Sequence, residues 1–169
     1  MWKWLHPYAQ SETSYRLCKK LEPWFIRSAV LLMLVGTIWG FAFAPTDYQQ
    51  SDSFRIVYIH VPTAYMAMAA YFAMAIAGLI AMVWQIKQCH MAIGAIAPIG
   101  AVFTFLALVS GALWGKPMWG AYWVWDARLT SMLILFFLYL GVIALYNAFE
   151  DRQQADKAAA ILSLVGVIN

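Results

Sequence analysis

The sequence predicts an all-α fold, a polytopic membrane helix bundle with four complete spans and the start of a fifth. Three observations carry this. Of its 169 residues, 64% are hydrophobic and only 11% are charged, whereas a soluble domain is nearer half apolar and a quarter charged. The apolar residues gather into four runs, each long enough to cross a bilayer. Little chain is left between the runs, and no internal repeat, low-complexity tract or soluble domain stands out.

The runs cover 24–44, 56–84, 91–113 and 129–148. A helix rises ~1.5 Å per residue, so ~20 residues cross the hydrocarbon core and all four qualify. The second is long enough to tilt or to project beyond the membrane. A fifth run starts near Ala158 and reaches Asn169. It would rise only about 18 Å, roughly half a crossing. The chain, 1–169, is therefore expected to be a single membrane domain and a fragment of a longer protein.

Orientation follows from the basic residues. Lys3, Arg16, Lys19, Lys20 and Arg27 lie at or before span one, Lys87 between spans two and three, and Arg152 and Lys157 between spans four and five. These eight fall on one side, and Arg55, Lys116 and Arg128 fall on the other. The bias places the N-terminus in the cytoplasm and the segment between spans three and four in the bacterial periplasm. "EDRQQADK" then reads as a solvated cytoplasmic turn. Cys18 and Cys89 are far apart and suit neither a metal spacing nor a disulfide. The first twenty residues have no continuous apolar core of the secretory-signal kind.

The outer segment 114–130 reads "WGKPMWGAYWVWDARLT" and carries Trp114, Trp119, Trp123 and Trp125. Indoles collect at membrane interfaces, which accounts for Trp24, Trp39, Trp84 and Trp114. Four in one outer segment, with Tyr122, point further, to an aromatic platform. Gly115 and Gly120 let the backbone turn and approach a ligand, and Pro117 stiffens the connection. Trp123 and Trp125 alternate, so in an extended chain they share a face. Such a surface suits a large flat apolar ligand, a sugar or a quaternary amine, and composition alone does not choose. Asp126 is placed to cap the fourth span or to touch the ligand. Arg128 and Lys116 reach either lipid headgroups or ligand carboxylates.

His60, in "RIVYIHVPTAY", lies a few residues into the outer end of span two. An ionisable group at membrane depth is a functional candidate, or else a neutral imidazole bonded to a neighbouring helix. Pro62 frees a backbone carbonyl and can kink the helix so as to aim the ring outward. His6 and His90 lie on the cytoplasmic side. A flat apolar ring with acid edges and an iron that takes imidazole describes haem. His60 supplies one axial position, and the outer loops in hand hold no second histidine.

The stretch "WGKPMWGAYWVWDARLTS" resembles the tryptophan-rich WWD signature of bacterial haem-handling membrane proteins, and most closely that of the cytochrome c maturation protein C (haem exporter protein C) family. "GFAFAPTDYQQ", "YIHVPTA", "APIGAVFTFLALVSGALWGKPMWG" and "FLYLGVIALYNAFEDR" are similar to it as well, so the likeness covers nearly the whole chain. The resemblance implies six membrane helices in the inner membrane, a periplasmic site for haem b as a transported ligand, and two flanking axial histidines. His60 matches the first, and the second would lie beyond Asn169. It further implies a binding set of His60, Trp114, Trp119, Trp123, Trp125, Asp126 and Arg128, with His60 on the iron. The implied partners are a periplasmic haem chaperone, the ATPase and permease subunits of an ABC transporter, a small single-span membrane protein and lipid. No nucleic acid and no bond-making on haem are implied. Two rivals stand beside this reading. One is a scaffold subunit of the transporter that binds no haem. The other is a permease, which the few polar residues in the spans, chiefly Thr37, Thr104 and Ser110, argue against.

Overall fold

The computed structural model describes residues 10–169, so the cytoplasmic placement expected for Lys3 and His6 lies outside the described residues. Five helices follow one another: α1 (Ser11–Ile38), α2 (Val57–Trp84), α3 (Lys87–Trp119), α4 (Ala127–Ala148) and α5 (Arg152–Gly166). Four helical stretches are long and apolar enough to cross a membrane: 12–43, 52–84, 87–119 and 127–148. This is a multi-pass, all-α membrane protein.

The chain separates into two units, 1–45 and 46–169. In the first, α1 runs through Pro23 and ends in a wider π-turn, Trp39–Phe43, closed by the Ala44 N–H donating to the Trp39 carbonyl at 2.9 Å. Its apolar side chains are exposed nearly all round, as suits a helix with lipid for solvent.

In the second unit α2 packs on α3 and α5, and α4 packs on the same two. Lipid tails are as apolar as leucine, so membrane helices associate through close packing and interhelical hydrogen bonds rather than through exclusion of water. Small residues make that approach possible. Tyr139 lies over Gly100, where a Cβ would overlap its ring, and its hydroxyl donates to the Ala67 carbonyl at 2.7 Å. Tyr71 meets Tyr139 edge to face at 5.1 Å and donates to the Leu162 carbonyl at 3.1 Å. Tyr146 donates to the His90 carbonyl at 3.1 Å near the other end of the bundle. Three hydroxyls thus tie helix to helix, each satisfied by a backbone carbonyl instead of being stranded in apolar surroundings.

Two boundaries differ from those the sequence suggests. "EDRQQADK" is largely not a turn: Arg152–Lys157 open α5, with the Asp151 carboxylate accepting from the Gln153 N–H at 2.9 Å as an N-cap. Arg152 and Lys157 are exposed and Asp156 is largely buried, along a helix that carries small residues, Ala155, Ala159 and Ala160, into the bundle. The third helix also outruns its apolar run at both ends. Its 33 residues rise about 50 Å, well beyond a ~30 Å hydrocarbon core. The excess at its C-terminal end carries the start of the tryptophan segment.

Candidate functional site

Residues 114–130 are accordingly not one loop. Trp114 to Trp119 complete α3, Gly120 stops it, and Asp126 starts α4. Gly120 takes φ +80°, the left-handed conformation in which a side chain is strained, and its N–H donates to the Lys116 carbonyl at 3.1 Å. The Lys116 ammonium returns the contact, donating to the Gly120 carbonyl at 3.0 Å and standing 5.2 Å from the Tyr122 ring centre. A cation at a helix C-terminus meets the negative end of the helix dipole. Gly115 makes no turn. It is helical and buried, and a Cβ there would run into the Trp119 ring folded back over it. Pro117 lies inside the helix near its end. The helix persists because the backbone donor lost at Pro117 is a single one, one turn before the stop.

Between the ends of α2, α3 and α4 that meet at the tryptophan segment is a cleft of about 540 Å³, within the range of small-molecule sites. One helix face lines each wall. His60, Ala64 and Met68 come from α2; Ala107, Gly111, Trp114 and Met118 from α3; and Leu129 and Met132 from α4. The first two sets repeat every three or four residues, the spacing of a single helical stripe. Trp119 and Arg128 close the outer margin of the lining.

His60 is held by α3. Its Nδ1 lies 3.1 Å from the Ala107 carbonyl oxygen and 3.1 Å from Ser110 Oγ. A carbonyl only accepts, so Nδ1 carries the proton and Nε2 is the bare nitrogen. Nε2 has no hydrogen-bond partner among the described residues. The ring packs edge-on against Trp114 at 5.6 Å. The Trp114 Nε1–H is in turn taken up by Gln50 Oε1 at 3.0 Å. Gln50 belongs to the loop before α2, where Asp47 Oδ1 accepts from the Gln49 and Gln50 N–H groups, both at 2.8 Å.

Asp126 is the N-cap of α4, its Oδ1 accepting from the Leu129 N–H at 2.8 Å. Its Oδ2 accepts from Arg128 Nη2, also at 2.8 Å. The Leu129 N–H first, and then Arg128, hold its carboxyl below the usual carboxylate range. The Arg128 side chain is 81% exposed, so this pair stands in water at the cleft mouth.

The structure therefore brings His60, Trp114, Trp119 and Arg128 to one cleft and leaves Trp123, Trp125 and Asp126 outside its walls. Trp123 and Trp125 touch at 5.4 Å with their planes 78° apart, so the two do not lie side by side as one flat shelf. Trp125 is 78% exposed, and the Trp123 Nε1–H is buried without a partner among the described residues. His90 lies in the first turn of α3, at the opposite end from Trp119.

The sequence matches the family described as heme exporter protein C over residues 4–169. It is 63% identical over 168 residues to the heme exporter protein C of Haemophilus influenzae, covering 99% of this chain and 68% of that one. The chain belongs to the heme exporter protein C family. It is also similar to the family's members in Escherichia coli strain K12, at 57% identity over 100% of this chain and 69% of the relative, and in Paracoccus denitrificans, at 40% over 99% and 68%.

Aromatic density marks the tryptophan segment and membrane depth marks His60 in the sequence, but neither marks the groups behind them. Gln50, Ala107 and Gly111 carry no signal of their own in the sequence, and Ser110 stands out there only as one of the few polar residues in the spans. A backbone carbonyl is anonymous there, and a Ser-Gly pair in an apolar helix reads as packing. The three methionines Met68, Met118 and Met132 that soften the cleft lining were equally silent, although adaptable thioethers suit a wall that must receive and release a ligand.

Proposed function

We propose that this chain holds haem at the periplasmic face of the inner membrane and presents it to a periplasmic haem chaperone for cytochrome c biogenesis. The N-terminus is cytoplasmic, and the WWD segment, 114–130, is periplasmic. The ATPase and permease subunits of an ABC transporter and a small single-span membrane protein work beside it. The relatives bear the name heme exporter, and the cargo is haem b.

One observation carries the reading. An imidazole whose Nδ1–H is already committed to α3 lines an apolar cleft with its other nitrogen unpaired. That is the state in which a histidine ligates a metal. Trp114 and Trp119 supply aromatic wall, and Arg128 at the mouth meets a propionate. Trp123 and the exposed Trp125 cover the part of the porphyrin that stands clear of the cleft, and Asp126 holds Arg128 in place. Each aromatic contact adds about 0.5–1.5 kcal/mol beyond area burial, so a few of them hold the ring without making its release slow. The chain's work on this reading is binding and hand-over, not catalysis.

The test is hemin titration of the purified full chain in detergent. Wild type is expected to bind with a shifted Soret band. His60→Ala is expected to alter that band and to weaken binding at least about tenfold, since changes behind a ligating histidine alone cost that much. A chain that stays colourless, or an H60A variant with an unchanged spectrum and affinity, would leave the scaffold role in place of this one.

A further inference from the structure

The grip of α3 on His60 has three parts. The Ala107 carbonyl fixes which nitrogen is protonated. Ser110 Oγ donates its hydrogen to the Leu106 carbonyl at 2.6 Å, and the same oxygen faces the His60 Nδ1–H as an acceptor at 3.1 Å. Gly111 makes room for the ring, because a Cβ there would come 2.9 Å from His60 Cε1 and 3.4 Å from Nδ1. Thr104 and Ser163 make the same kind of back-bond, to Gly100 and Ala159, as helix hydroxyls often do. Ser110 does something more, since its oxygen also meets a side chain from another helix. Thr63, one turn on from His60, donates to the Ile59 and His60 carbonyls at 2.8 and 2.9 Å, which steadies the backbone that carries the ring.

We propose that Ser110 and Gly111 are positioning residues for His60: together they hold its Nδ1–H edge on α3, so that Nε2 is the nitrogen offered to the haem iron. The inference rests on the haem reading of His60. Its physics is that of groups behind a metal ligand. A hydrogen bond accepted from Nδ1–H fixes the tautomer and the ring angle and makes the imidazole a stronger donor. A stronger donor favours ferric over ferrous iron and lowers the midpoint potential of bound haem. Release of haem to an acceptor is then set partly by two residues that never touch it.

The experiment uses the full chain in detergent, with hemin as the probe, and reads three quantities. They are hemin affinity, the midpoint potential of the bound haem, and the ring ¹⁵N shifts of His60 in haem-free protein. Wild type is expected to show Nδ1 protonated and Nε2 bare before any hemin is added. Gly111→Ala is expected to displace the ring, lower affinity about tenfold or more and raise the potential. Helix content should be unchanged, because alanine favours helix over glycine. Ser110→Ala is expected to raise the potential with a smaller loss of affinity, and Ser110→Thr, which restores the hydroxyl, to return it towards wild type. The inference is overturned if S110A and G111A keep the wild-type potential and ¹⁵N shifts while H60A loses the haem spectrum. If H60A instead binds hemin as wild type does, the haem reading is what fails. The ¹⁵N shifts of the haem-free variants then decide separately whether the two residues hold the ring.

Discussion

Asp126 performs two jobs with two oxygens, capping α4 through Oδ1 and pairing Arg128 through Oδ2. Both are stronger with the carboxylate charged, and both lower its pKa relative to an unfolded chain. A depressed folded-state pKa means that the stabilisation is fully present above the ordinary carboxylate pKa. It is lost as pH falls through the lower folded value. Acidification through the range below pH ~4 is therefore expected to loosen the first turn of α4 and free Arg128. Asp126→Asn keeps an N-cap acceptor and removes the titration. Protection of the Leu129 amide, taken relative to the intrinsic exchange rate at each pH, is expected to fall at low pH in wild type and to stay flat in D126N. A Leu129 amide whose protection in wild type ignores pH would remove the carboxylate from this role. The cap was half legible in the sequence, because an aspartate directly before an apolar run reads as an N-cap, while its place beside the indoles reads equally as a ligand contact. The orientation of Arg128 was not, since an exposed guanidinium reaches a lipid, a ligand or its own neighbour with equal ease, and only coordinates choose among them.

Elements of this protein meet the site through a short relay. The first outer loop turns on Asp47, presents Gln50, and Gln50 takes the Trp114 N–H, whose ring lies against His60. Loop, third helix and second helix are thereby tied at one point. Gln50→Ala leaves the Trp114 N–H without its acceptor and removes about 1 kcal/mol of net hydrogen bonding. If that loss falls on the site, hemin affinity drops roughly fivefold. The Soret position is expected to stay where it is, because the iron ligand is untouched. Titration of Q50A beside H60A checks this: a shifted band in Q50A would mean that the loop reaches the iron's surroundings more directly than the relay allows. The helices themselves were legible because composition and run length dominate in a bilayer, and four apolar runs have one sensible structure. Their ends were less so. Hydropathy stops where the membrane does, while α3 continues for as long as its backbone can bond, to Gly120. For the same reason the tryptophan segment read as a loop although more than half of it, 114–119 and 127–130, is helix. The cleft was half legible. His60 and the indoles are conspicuous by type, but Ala107, Ser110 and Gly111 act through position, and position appears only when α2 and α3 are packed.

At the scale of the whole molecule the deciding physical quantity is which way up the chain sits. Eight of its eleven Lys and Arg residues lie towards one side by the sequence alternation of spans, and that bias favours retention of the side in the cytoplasm. The proposed hand-over depends on this, because a cleft opening to the cytoplasm would deliver nothing to a periplasmic acceptor. The protein carries its own reporter. Cys18 is free and exposed in α1, among Arg16, Lys19 and Lys20, on the basic side. Cys89 is half-buried and free, and its replacement by alanine leaves Cys18 as the single thiol. In that background a membrane-impermeant maleimide is expected to spare Cys18 in intact cells and to label it once the inner membrane is opened. Tyr122→Cys, placed on the exposed outer segment in a chain lacking both native cysteines, is expected to label in intact cells without that step. Tyr122 is 57% exposed, so access is not in question. The reverse pattern, with Cys18 labelled from outside and position 122 protected, would invert the topology. His60, the cleft and the tryptophan segment would then face the cytoplasm. Binding of haem would survive that result and delivery to the periplasm would not, because the site's chemistry belongs to its residues while its use belongs to the side of the membrane on which they stand.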